Sequence, residues 1–246
     1  MTPVTASRPF RHRCLAIVAG LSVLALALSA APASAAPEEL SDSDHEELTQ
    51  FFDENGVSLA VQDELFEKLE RGEMWDSMSE MEPESTTRES VANVVKITSV
   101  FADGSISVEE VEKPSKPISG EIGPLGVGSC QSSSTGSGYA NRYDCRASAS
   151  TGIMTMGFYI SYTLVQGGYD QITDVHSPFR SIKTGTATTA KLSLVKSREN
   201  SSGSAWAKAV STYTGFAGSP SGTYEMRALV GKDTAWTRWA RKGAEG

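Results

Sequence analysis

Histidine and cysteine are scarce in this chain, with three of each among 246 residues. Zinc sites draw on several such ligands at fixed spacing, and neither His-Glu-x-x-His nor Cys-x-x-Cys occurs. A calcium loop would need acids at alternate positions closing in Glu, and none is present. No Gly-x-Ser-x-Gly elbow marks a serine hydrolase, and no Gly-rich loop cradles phosphate. Catalytic, metal and cofactor assignments from sequence are therefore none. After the first thirty residues no apolar run is long enough to span a bilayer, so no membrane span is expected once the leader is removed.

Basic residues are also scarce in one region. From residue 36 to 89 there are eighteen Asp and Glu against Lys68, Arg71 and Arg88. That balance argues against nucleic acid as a partner, because phosphate contacts need positive charge. The same stretch carries helical signals. Asp44, with Glu47 three residues on, reads as a capping box. Leu48, Phe51 and Phe52 follow at helical spacing, and Asn55-Gly56 is a stop. Ser58 opens a second stripe of Val61, Leu65, Phe66 and Leu69, ended by Arg71-Gly72. The expectation is a short acidic αα-hairpin whose apolar faces must pack on something else.

What the chain does have is a leader and a long two-residue alternation. Arg8, Arg11 and Arg13 precede the apolar run 14–30, and Ala33-Ser34-Ala35 fits small-x-small cleavage. Residues 1–35 are read as a signal peptide, which places the mature protein outside the cell. Cys14 leaves with it. Cys130 and Cys145 remain and are expected to form a disulfide in an oxidising compartment.

Met154, Met156, Phe158, Ile160, Tyr162 and Leu164 share one parity, which a strand sends to one face. Tyr143, Cys145, Ala147 and Ala149 alternate just before them, so two adjacent antiparallel strands are expected. Residues 80–90 read as a linker. Val94–Phe101 and Ile106–Val111 flank Asp103-Gly104, a hairpin signal that would group Phe101, Ile106, Ile97 and Val108 on one face. A Pro- and Gly-rich connector, 113–127, comes next. Further strands are expected in 169–175, around 179–182, and in 190–195, 205–213 and 224–230. The fold class expected is mainly β: an antiparallel β-sandwich or small barrel over 128–246, preceded by the acidic helical segment 36–89 and the β-hairpin and connector 90–127.

Chemistry is thin. His45 and His176 are the mature histidines. The acids available to a carboxylate pair in the β region are Asp144, Asp170, Asp174, Glu199, Glu225 and Asp233. Aromatics are the better lead. Tyr159, Trp206 and Tyr213 are placed on the solvent face, where flat rings bind sugar or peptide. The run Trp236-Thr237-Arg238-Trp239 mixes indole with basic charge suited to an anionic envelope.

The Ala-rich leader, the Phe51–Gly72 pattern Phe-x-x-x-Asn-Gly-Val…Leu-x-x-Lys-Leu-x-x-Gly, Asp103-Gly104-Ser105-Ile106 and the strand Phe158–Leu164 together resemble a group of secreted proteins of high-GC Gram-positive bacteria. The resemblance brings no residue role with it. The leading expectation is a secreted non-catalytic module binding a glycan, a peptide or an envelope component. A secreted hydrolase, and a secreted toxin or inhibitor with an acidic pro-region, are the alternatives. Ligand and oligomeric state are not legible. Alkylating the exported protein without reduction should add no mass at Cys130 and Cys145, whereas after reduction both thiols should react; mass spectrometry of the intact protein reads the difference.

Overall fold

A computed structural model describes residues 39–112 and 130–241. The expected signal peptide, the cleavage site and most of the connector lie outside these residues. Among these residues two helices come first, α1 (Asp42–Glu54) and α2 (Leu59–Glu70), then a 3₁₀ turn, Asp76–Met78. Twelve strands come after them: β1 (Ser85–Val91), β2 (Val94–Val100), β3 (Ile106–Glu112), β4 (Ser132–Gly136), β5 (Tyr139–Ser150), β6 (Met154–Val165), β7 (Gln171–Ile182), β8 (Thr186–Ala187), β9 (Lys191–Lys196), β10 (Ala205–Thr214), β11 (Gly222–Gly231) and β12 (Thr234–Arg241). They make two antiparallel sheets. The first runs β1-β2-β3-β5-β6-β7 with β4 also on β5, and the second runs β12-β11-β10-β8 with β9 also on β10. The fold is mainly β, two open sheets face to face, as the alternation required.

Inward residues of the two sheets differ in size. The first presents Met154, Met156, Phe158 and Ile160, and the second presents Ala205, Ala207 and Ala209 flanked by Tyr213, Tyr224 and Met226, all essentially inaccessible. Large side chains opposite small ones let two sheets interdigitate without voids. Cys130 is bonded to Cys145, fixing the chain ahead of β4 to the middle of β5.

The helices complete this core. Leu48, Phe52, Leu65, Leu69, Trp75 and Met78 belong to the same buried cluster as the strands. Three turns locate them. A Cβ on Gly104 in the β2–β3 turn would meet Val61 of α2 at 2.4 Å, Gly152 in the β5–β6 turn lies under Phe51 of α1, and Gly72 touches Ala217 between β10 and β11. The helical segment therefore plugs one open end of the sandwich. Polar bonds lock the plug: Trp75 Nε1 donates to the Leu65 carbonyl at 2.8 Å and Tyr224 Oη to the Met78 carbonyl at 2.6 Å.

Several local expectations need correction. The cap of α1 is Ser41, not Asp44. Its hydroxyl accepts from the Asp44 N–H and donates to the Asp44 carboxylate, so the box sits one turn earlier. Residues 85–91 are strand β1 rather than linker, paired along its whole length with β2. The β2–β3 register is one residue off the expected one, with Val100 opposite Ile106. Gly104 at φ 78° donates to the Phe101 carbonyl while the Phe101 N–H reaches the Ser105 carbonyl, a three-residue loop in place of two. Ile97 therefore shares a face with Glu109, not with Ile106 and Val108.

The stretch 171–182 is one strand, not two. Ser177 at φ 49° and Pro178 sit in a bulge opposite Phe158, on an edge strand where a missing N–H does no harm. A bulge at Asp144, φ 50°, breaks the parity of β5 and leaves Tyr143 exposed while Cys145 is buried. Residues 234–241, where the spacing gives no strand signal, form β12, entered through Lys232 and Asp233, both at positive φ as a type I′ hairpin demands.

Substituting Gly104→Ala should cost more than Gly138→Ala. Both have positive φ, but only Gly104 faces a neighbour, so urea melts should show about 1 kcal/mol lost at Gly138 and about 2–3 kcal/mol at Gly104.

Candidate functional site

Three surfaces gather the chemistry. The first is the outer face of the second sheet. Along β10, Trp206, Lys208 and Val210 point away from the core that Ala205, Ala207 and Ala209 fill. Register aligns Lys196, Trp206, Leu229 and Trp236 in one rung, and Lys208, Arg227 and Arg238 in the next. The Arg227 guanidinium lies 4.9 Å from the centre of the Trp206 ring, and the Lys208 ammonium lies 5.6 Å from it. Both cations are held by Glu225. Lys208 Nζ is 2.7 Å from its Oε2, and Arg227 Nε bonds its Oε1. Burial works to raise the Glu225 carboxyl, but these two bonds outweigh it and hold it below the usual range. Lys191, Lys196 and Arg238 add further positive charge to the face, where Glu225 is the one acid aligned with them among the described residues.

The five aromatic residues expected at a surface divide. Trp206 and Trp236 lie on this outer face, half-buried, separated by Leu229. Tyr213 is a correction. It is fully buried, because it shares parity with Ala205 and not with Trp206. Trp239 is a second correction. It faces inward, packs on the core and stacks on Tyr224 at 5.6 Å, since β12 is a strand whose odd positions point in. Tyr159 lies on the outer face of the first sheet, stacked on His176 at 5.7 Å.

That pair belongs to the second surface. His176 Nε2 lies 3.0 Å from Asp144 Oδ1 and Nδ1 lies 2.9 Å from Ser177 Oγ. Asp144 also bonds Ser161 through both its N–H and its carboxylate. The cluster sits on an open strand face, with the His176 side chain 42 % exposed. The chain of bonds braces the two bulges. Asp170, Glu199 and Asp233 also converge, but as a clasp. Asp170 accepts from the N–H groups of Val165 and Asp233, and Glu199 accepts from those of Asp170 and Lys232. Among the described residues no three His, Cys, Asp or Glu are placed to hold a metal ion.

The third surface is a cavity of about 220 Å³ where the first sheet overhangs the edge of the second. Glu109 of β3, missed in the sequence, forms part of it. Its Oε1 accepts the Trp239 N–H of edge strand β12 at 2.8 Å. Burial pushes its carboxyl up to about 7, against the pull of that N–H and of the Arg238 charge. Glu109 shares its face with Val111, opposite the buried Ala149 and Ala147 of β5, a placement set by register and not signalled by its own stretch of sequence. Glu80 and Glu82 stand exposed on the rim.

Comparison with family models, curated proteins and solved structures finds no match for this chain.

Glu109 makes stability depend on pH. Its folded value lies above the unfolded 4.5, so the folded state binds more protons. The contribution of this group to stability is fully present below about pH 4.5 and is lost as pH rises through about 7, by about 3 kcal/mol at most. Glu109→Gln keeps the acceptor for Trp239 and should flatten this slope. Melting temperatures at pH 5 and 8 should then converge, the variant being the more stable at pH 8.

Proposed function

We propose that the protein is an exported, non-catalytic module that binds a negatively charged glycan of the cell envelope through the outer face of its second sheet. One observation carries the reading: Trp206 stands under two cations in a rung with Trp236. Flat rings and fixed cations on a rigid strand face suit a repeating anionic sugar, because the rings stack on pyranose faces while the cations meet the acid groups. Lys208 and Arg227 are held by Glu225 before any ligand arrives, so little ordering is needed on binding. The Arg-then-apolar pattern of residues 1–35 with its small-x-small site, and the bonded cysteines, support export. Among the described residues no helix is long and apolar enough to cross a membrane.

The pro-region reading fares less well. Leu48, Phe52, Trp75 and Met78 fill the same core as the strands, so cutting the acidic segment away would open the sandwich.

Retention of the purified protein on isolated cell walls tests the proposal. Binding should be strong at low salt and fall steeply by about 0.5 M, where screening reaches within a few ångströms. Trp206→Ala and Trp236→Ala should each weaken it about tenfold or more, with circular dichroism unchanged. No retention at low salt, or retention indifferent to both substitutions, overturns the reading.

A further inference from the structure

The cavity beneath β12 is chemically distinct from the cationic face. Its charged groups are Glu109 from β3, Glu80 and Glu82 from the loop after the 3₁₀ turn, and Arg238 from β12. Three carboxyl groups thus face one guanidinium, and among the described residues no ion pair joins Arg238 to Glu109. Glu109 is only 9 % exposed, with one oxygen on the Trp239 N–H and no described hydrogen bond to the other. In the wall, the Ser77 hydroxyl is covered and has no partner among the described residues, the residue being 2 % exposed. Buried polar groups are nearly always bonded, so a largely buried carboxyl whose second oxygen opens onto the cavity without a described bond calls for an occupant. A buried carboxyl without a counter-charge is the costliest kind.

The walls narrow the choice. A metal ion is disfavoured because no three such ligands converge among the described residues. Phosphate or carboxylate would meet net negative charge. The cavity is smaller than the roughly 300–1,000 Å³ of drug-sized sites. Phe101, Met81 and Pro83 supply an apolar wall for a short stem.

We propose that this cavity binds a primary ammonium group on a short apolar stem, with Glu109 as its counter-ion. The ammonium binds the ionised carboxylate, so binding draws a proton off Glu109 and strengthens as pH rises. Arg238 opposes the cation, and Glu80 and Glu82 at the rim attract it. The chemistry is that of a lysine side chain, an amino-terminal residue or an alkylamine, and of the charged groups named for the glycan face the cavity shares only Arg238.

Titrating full-length mature protein with n-butylamine, and with n-butanol as the neutral match, tests this by amide and indole NMR shifts. Butylamine stays protonated from pH 6 to 8. Its affinity should rise about tenfold over that range as Glu109 ionises, with shifts centred on Ser77, Ser107 and the Trp239 indole N–H. Glu109→Gln, its fold checked by its own spectrum, should bind at least tenfold more weakly and without pH dependence. Trp206→Ala should bind butylamine like the parent, which separates this site from the envelope-binding face. Equal affinity for butanol, a pH-independent affinity in the parent, or a Glu109→Gln variant that binds as well as the parent overturns the proposal.

Discussion

Everything in this molecule depends on two sheets meeting large side chain to small. The inward row of β6 is bulky and the inward row of β10 is alanine. That asymmetry sets how closely the sheets approach, and the approach decides which strand edges overlap. The first sheet is wider, so β1 and β2 run past the edge of the second. The overhang is what produces a cavity at β12 and brings Glu109 to an edge N–H that would otherwise face open space. The site arises from a mismatch in sheet width rather than from a dedicated loop.

Periodicity made much of this legible. The β6 row, the β10 and β11 strands and both helices can be read from spacing alone, because burial imposes a period of two or 3.6, and the cysteine pair follows from the expectation of an oxidising compartment. The features that escaped were set by single residues in unusual backbone. Asp144 and Ser177 shift parity through bulges, and Gly104 adds a residue to a loop. Each change exchanges inward and outward faces for the rest of its strand. The last strand is hidden because its mixture of Trp and Arg lacks a two-residue alternation of apolar and polar side chains, and only the turn at Lys232 and Asp233 brings the chain back.

The surface chemistry was legible only by halves. Trp206 and Trp236 stood out as exposed rings, yet nothing local says that β11 aligns Leu229 between them or sets Arg227 over the indole. Cross-strand neighbours are fixed by register, which lies outside any single stretch. Tyr213 and Trp239 carry the same side-chain types and went inward, because one step along a strand exchanges core for solvent. Glu109 was hidden differently: one carboxyl in an acidic run looks solvated, and only its partner strand makes it buried.

The plug formed by α1 and α2 has a consequence for how the chain acquires its shape. A polypeptide leaves the ribosome or a translocation channel from its amino end, so the stopper is delivered before the bottle. The helices are too short to persist unaided, and the strands they seal, β10 to β12, arrive last. Until the final hairpin closes, Phe52 and Trp75 have no lasting shelter, and that interval is when a chaperone would find the most to hold.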